Sequence, residues 1–518
     1  MHGAIATPHA LASRAGAQVY AAGGNAIDAA LAAAAMLTVV YPHQCALGGD
    51  LFAVAALPDG RSRSINGSGA AAAQLNVSAL RSTFDEMPDS GPVPITIPGV
   101  VGGWQALHDL GASLDLARLL APAIEAARDG VPVSRSLEEG ILKRENVLRR
   151  DPGLLGKFFV DGKPIARGAT LRQPELASTL ERLAASGLQD FYSGAVASEL
   201  VTVLRRLGSA LAMSDFRDHA TRVESTLSLS LHGLELETSP PNSQGFVLLE
   251  ALAGVRALGI ELTPSIRGTA GLLRALLLAI GDRERYLGDP VRRPVPLDSL
   301  LDIERLRERL SATRPGSDPI AVRPVPGHGD TVAISALDSS GLAVSLIQSV
   351  FQLFGCGILE PATGIIFHNR GRGFSLRPGA PNELMPCTRP AHTLTPLIVR
   401  RAGRVCAVLG CMGGRAQPQI LAQLLPGVLD PTTSLNSTLA APRWVVGSKD
   451  IDFAAPTVAI ESNAPADWDL SLRAAGYDLE RIPALSELVG HAQAIRVRHD
   501  GALEAASDPR SDGEAIVD

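Results

Sequence analysis

No cysteine pair in this chain has C-x-x-C spacing, and the five cysteines (Cys45, Cys356, Cys387, Cys406 and Cys411) are odd in number. That pattern argues against a disulfide framework and for buried, reduced thiols. The eleven histidines are scattered, with no H-E-x-x-H and no Cys/His cluster, so no metal centre is expected. G-x-S-x-G, a Walker P-loop and a dinucleotide fingerprint are missing too, and with them any reason to expect a cofactor. Lys and Arg form no basic block and the formal net charge is −6, which gives no footing for nucleic acid. Long apolar runs are also scarce. The longest, residues 29–41, is too short to span a bilayer and reads as a buried helix. The opening MHGAIATPHALASRAG has no basic segment followed by an apolar one, so no secretory leader is visible and a cytoplasmic location is expected.

What is present is globular: 46% apolar and 19% charged residues over 518 positions, with no long polar linker to divide them. Residues 8–40 read as two helices joined at Gly23 and Gly24, the second opened by Asn25 or Asp28. Residues 51–56 read as a strand and 91–103, with Pro92, Pro94 and Pro98, as loop. From Trp104 to about Gly208 the period is mostly helical. Residues 228–237 alternate as one strand would, and 244–258, 271–286 and 303–311 read as helices. Strands follow near 331–337, 342–348, 396–400 and 404–409, then a helix over 418–425. Residues 450–500 look like short strands and a final helix. Strand runs flanked by helices on both sides predict an α/β fold, a layered α/β/β/α sandwich.

One seam stands out. Residues 320–329 (IAVRPVPGHG) carry two prolines and no apolar period, so they read as a loop. Directly after Asp330 a strand begins at Thr331, and its partner strand follows a DSSG turn at 338–341. A strand opening on threonine after a loop suits a self-cleaving N-terminal nucleophile hydrolase. Cutting between Asp330 and Thr331 would place a hydroxyl and a free α-amine on one residue. That amine has an ordinary pKa of roughly 7.7–8.0, so near neutral pH it can serve as general base for its own hydroxyl.

Five blocks extend this reading across the chain: GGNAIDAALAAAAMLTVVYPHQCALGGDLF (23–52), PPNSQGFVLLEAL (240–252), DRERYLGDP (282–290), GDTVAISALDSSGLAVSLIQSVFQLFGCGI (329–358) and RPAHTLTPLIVRRAGRVCAVLGCMGGRAQPQ (389–419). In that order they resemble the γ-glutamyltransferase family of self-processing threonine hydrolases. The resemblance implies the four-layer N-terminal-nucleophile fold and a precursor cut into a large piece, 1–330, and a small one, 331–518. It leaves room for a dimer of processed units. It also implies roles: Thr331 as nucleophile, Ser349 as the second hydroxyl that assists processing, and the N–H groups of Gly413 and Gly414 as the oxyanion site. Glycines there let backbone N–H groups approach a developing charge with no Cβ in the way.

The substrate positions depart from the family pattern. Phe351 stands where an asparagine is expected, Arg370 where a glutamine or glutamate is, and Gly373 where an aspartate is. His392 and Thr393 replace a serine pair, and no arginine near 70–76 matches the one that holds an α-carboxylate. A γ-glutamyl ammonium would meet no countercharge and an added cation, a cost of several kcal/mol in a desolvated site. The pattern resembles the branch that contains oxamate amidohydrolase, with Phe351, Arg370, His392 and Thr393 facing a small, anionic, non-glutamyl amide. Arg370 also admits a reading as a surface-loop residue, and His392 as a core histidine. Alternative readings are hydrolysis on a natural-product pathway, at a C–C or an amide bond, true γ-glutamyl hydrolysis or transfer, or a processed but non-catalytic binding or structural subunit, which an intact Thr331, Ser349, Gly413 and Gly414 set argues against.

Overall fold

The alanine-rich run at 29–41 belongs to a helix with no polar face: every residue of Ala26–Val40 is buried. Asn25 opens it by accepting from the N–H groups of Ile27 and Asp28, while the Asp28 carboxylate accepts from Asn25 N–H at 2.9 Å, a reciprocal cap. This computed structural model describes residues 2–312, 330–446 and 457–518. The expected loop at 320–329 lies outside the described residues.

In chain order the strands of the two main sheets are β1 (Gly3–Thr7), β2 (Asp50–Ala56), β3 (Ser62–Gly67), β4 (Arg222–Glu224), β5 (Leu227–Leu231), β6 (Leu234–Thr238), β7 (Asp330–Asp338), β8 (Ala343–Phe351), β9 (Leu397–Arg401), β10 (Arg404–Cys411), β11 (Ala492–Val497), β12 (Leu503–Ser507) and β13 (Glu514–Val517). The helices that bear on the site are α1 (Ala10–Ala21), α2 (Ala26–Val40), α3 (Val100–Gly111), α4 (Gly245–Ala257), α5 (Ala270–Tyr286) and α6 (Gln417–Leu429). One sheet has seven strands in the order β13-β1-β7-β8-β2-β3-β4, the other six in the order β12-β11-β10-β9-β6-β5. β7 and β8 pack on β10; α1 and α2 cover the far face of the first sheet, α4 and α6 that of the second. The result is the four-layer α/β/β/α sandwich. Both faces of β7 are covered, so all nine of its residues are buried, and its middle, residues 332–337, is apolar except for Ser335.

Several local expectations need correction. Residues 228–237 form two strands, β5 and β6, because His232 and Gly233 take φ of 50° and 75° and turn the chain into a tight hairpin. The loop at 91–103 ends early. α3 starts at Val100, and Gly103 lets it lie on β2, where an added Cβ would come within 2.8 Å of Leu51. In the 450–500 region the helix, Ala466–Ala474, lies between strands rather than last, and 447–456 fall outside the described residues. Cys45, Cys356 and Cys411 are buried, but Cys406 is only partly so and Cys387, in a turn at φ 57°, is exposed. No helix among the described residues is long and apolar enough to cross a membrane.

Candidate active site

The DSSG turn joins β7 to β8: the Asp338 carboxylate accepts from the Ser340 N–H at 2.8 Å, and Gly341 supplies φ 87°. The two strands pair in register until their open end. There Asp330 faces Phe351 and Val332 faces Gln348, so Ser349 and Val350 oppose the single residue Thr331. Such a bulge re-aims side chains. Its effect here is to bring Ser349 Oγ within 3.0 Å of Thr331 Oγ1 and 2.6 Å of the Asp330 carbonyl oxygen. Ser349 Oγ also accepts from the Phe351 N–H at 2.9 Å. A serine hydroxyl has one proton, so that proton goes to the Asp330 carbonyl and the Thr331 hydroxyl donates to Ser349. Both side chains are buried. The Asp330 carboxylate is held in turn by the Leu353 N–H at 3.0 Å.

Gly413 and Gly414 follow β10 and precede α6, at φ 142° and 52°, where only glycine is at ease. Neither N–H has an acceptor among the described residues. β10 reaches the strand of Thr331 directly: a Cβ on Gly410 would stand 3.0 Å from Ala333 Cβ, two residues beyond Thr331.

Phe351, Arg370, Gly373 and Thr393 line one cleft of about 570 Å³. The Arg370 guanidinium lies 4.0 Å over the Phe351 ring, which takes φ 77°, and its Nη1 is 3.5 Å from Thr393 Oγ1. Arg370 is only 1% exposed, which excludes the surface-loop reading. Arg283, Arg372, Arg377 and Arg415 share the cleft with Asp85, Glu86 and Glu284, so its lining is net cationic. Thr331 and Ser349 are not among its lining residues, but the cleft reaches Phe351, the register partner of Asp330.

His392 is not brought to the cleft. It is fully buried against Phe52, ring centroids 4.7 Å apart, with Nε2 3.0 Å from Asp50 Oδ2. Asp50 is the residue sequence reasoning missed. It lies directly across from Ser349 in the β2–β8 register, so one sheet face presents Thr331, Ser349 and Asp50 on neighbouring strands. Its only signal is a single acid opening an otherwise apolar strand, DLFAVAA. Burial would raise its carboxyl; His368, His392 and Arg370 outweigh that and hold it below the ordinary carboxylate range. His392 is pushed down to about 3 by burial and then by Arg370, against the pull of Asp50. The imidazole is therefore neutral, and its Nε2–H donates to the ionised Asp50. His368 is lowered by burial as well; its Nδ1 accepts from the Arg370 N–H at 3.3 Å, leaving Nε2–H to donate to the Thr96 carbonyl at 2.9 Å.

Back-to-back antiparallel sheets between helix layers, with a buried hydroxyl pair where the start of one central strand meets the end of the next, define the N-terminal nucleophile hydrolase class. Residues 12–518 match the gamma-glutamyltranspeptidase family, and the chain belongs to that family. It is 37% identical over 525 residues to the oxamate amidohydrolase proenzyme of Klebsiella pneumoniae, covering 99% of this chain and 98% of that one. To the glutathione hydrolase-like YwrD proenzyme of Bacillus subtilis it is 32% identical, over 99% and 98% of the two chains. Among solved structures it superposes on the cephalosporin acylase of Bacillus halodurans with a TM-score of 0.90 at 31% identity, over 99% and 95%.

Proposed function

We propose that this chain is a self-processing threonine amidohydrolase acting on a small, anionic, non-glutamyl amide. The observation that carries it is the Ser349 hydroxyl, which donates to the Asp330 carbonyl while accepting from the Thr331 hydroxyl. Thr331 Oγ attacks that polarised carbonyl carbon. The O–C bond forms, the Asp330–Thr331 C–N bond breaks, and the hydroxyl proton ends on the nitrogen that becomes the new amine. Water then hydrolyses the ester, giving pieces 1–330 and 331–518. In the mature enzyme the α-amine takes the hydroxyl proton as Thr331 attacks substrate. Gly413 and Gly414 N–H groups stabilise the oxyanion, the amine leaves, and water releases the acid. The buried Arg370 over Phe351, in a net cationic cleft that lacks the amine-binding aspartate, supports an acyl group bearing negative charge. So does the name of the Klebsiella relative, an oxamate amidohydrolase proenzyme.

The test is a pair of variants. Thr331→Ala is expected to stay one chain and lose about 10⁴-fold or more in turnover. Thr331→Ser keeps both hydroxyl and amine, so it is expected to cut and to retain activity. An uncut but fully active Thr331→Ala protein would end the assignment.

A further inference from the structure

The block at 240–252 takes no part in the chemistry above, yet one of its side chains touches both the cleft and the oxyanion turn. Gln244 precedes α4, is fully buried and makes no capping bond to its own helix. Its Oε1 accepts from Arg283 Nε at 2.8 Å. An arginine can only donate, so the amide orientation is fixed and Nε2 carries both outgoing protons. One goes to the Thr393 carbonyl at 2.9 Å, the other to the Gly414 carbonyl at 3.0 Å. A second tie runs alongside: Glu284 accepts from Arg283 Nη1 and from Arg415 Nη1, each at 2.6 Å, and Arg415 is the residue after Gly414. The turn needs such ties. Two consecutive glycines at positive φ have many conformations within reach, and a displacement of about 1 Å at a reacting centre can cost roughly a hundredfold in rate.

We infer that Gln244 is the positioning residue of the oxyanion turn. It sets the direction of the Gly413 and Gly414 N–H groups and, through Thr393, the cleft wall beside Arg370. Arg283 fixes the amide that does so. This rests on the proposed role of the two glycines, and Gln244 itself touches neither substrate nor reacting atoms.

Gln244→Glu is the sharpest change. It is isosteric and keeps the Arg283 pair, but its ionised carboxylate has no proton for either carbonyl and repels both. Two readouts are paired with it. The probe is N-(4-nitrophenyl)oxamate, with its thioamide counterpart, in which sulfur replaces the oxygen that would become the oxyanion. Expected are a fall of about 10²-fold in kcat for the oxo probe, KM within about threefold, and a collapsed oxo-to-thio rate ratio. The second readout needs no turnover: hydrogen exchange across 411–417, where Ala416 N–H is held by the Gly413 carbonyl at 2.8 Å, is expected to speed up at least about tenfold. Gln244→Met, apolar and similar in size, is expected to behave the same way. If neither variant folds, Arg283→Lys is used, which frees the amide to flip and is expected to show a weaker form of both effects. Unchanged exchange overturns the inference, as does an unchanged kcat and oxo-to-thio ratio in a folded variant. If wild type turns over neither probe, exchange alone decides. Thr331→Ala run in parallel separates the two levels. If it is inactive while Gln244→Glu is unimpaired, only the Gln244 inference falls; if it is active, the nucleophile reading falls.

Discussion

The two ends of one sheet face make an instructive contrast. At the Thr331–Ser349 end every polar proton has a place: Thr331 gives to Ser349, Ser349 to the Asp330 carbonyl, and Phe351 N–H to Ser349. At the Asp50 end, one strand further on, polar atoms are left over: Asp50 Oδ1 and His392 Nδ1 have no partner among the described residues. Buried polar groups are nearly always paired, so a leftover group marks a place where a ligand or water completes the set. The first end is closed by its own hydrogen bonds; the second is charged and keeps unpaired polar atoms although Asp50 and His392 are fully buried.

The largest effect that could break this contrast belongs to the closed end. Ser349→Ala removes the donor from the Asp330 carbonyl and the acceptor from the Thr331 hydroxyl. Self-cleavage is expected to slow about 10²- to 10³-fold, the range for a lost oxyanion donor. Time-resolved denaturing gels from freshly synthesised chain would measure it, and cleavage at the wild-type rate would show the closed end to be structural. The next effect is on the charged end. In Arg370→Gln, kcat/KM for anionic amides is expected to fall about a hundredfold, the equivalent of roughly 3 kcal/mol, while a γ-glutamyl anilide changes little. Equal losses on both substrates would erase the distinction between the ends.

The remaining effect is on stability rather than on rate. His392 goes from 6.5 to about 3 on folding, so between those values the unfolded chain binds a proton that the folded one refuses. Stability contributed this way is complete above about 6.5 and lost as pH falls, by about 1.4 kcal/mol per pH unit for one proton. Asp50, also lowered, works in the same direction at more acid pH, its contribution being lost as pH falls through its folded value. Denaturant titrations of wild type and His392→Asn between pH 7 and 4 are expected to show the shallower slope in the variant; identical slopes would place His392 outside the charged end.

The contrast also explains what the sequence disclosed. The closed end is local: β7, the DSSG turn and β8 are contiguous, so turn chemistry and alternation predict the hairpin and the seam before Thr331, while Ser349 was singled out only by the family resemblance. The buried α2 was legible as an unbroken apolar run; the four-layer order rested on the family resemblance, because period alone does not decide how layers stack. The charged end is assembled from β2, residues 368–370 and residues 392–393, which nothing in the sequence links. Asp50 looks like a lone strand acid until the register sets it beside Ser349, and His392 looks like a ligand-facing residue until Phe52 is seen packed on it. The β5–β6 hairpin was read as one strand although its leucines change phase, 227, 229 and 231 before His232-Gly233 and 234 and 236 after; that slip, with the glycine, is the trace in sequence of the turn that the positive φ values show.

The central claim is that the chain cuts itself to expose Thr331. Intact-mass measurement and N-terminal sequencing of the purified, folded protein test it most directly. The account predicts two chains that co-purify, the smaller beginning at Thr331 with a free amine. A folded, active protein that remains a single chain, or a second chain beginning at any other residue, would contradict it.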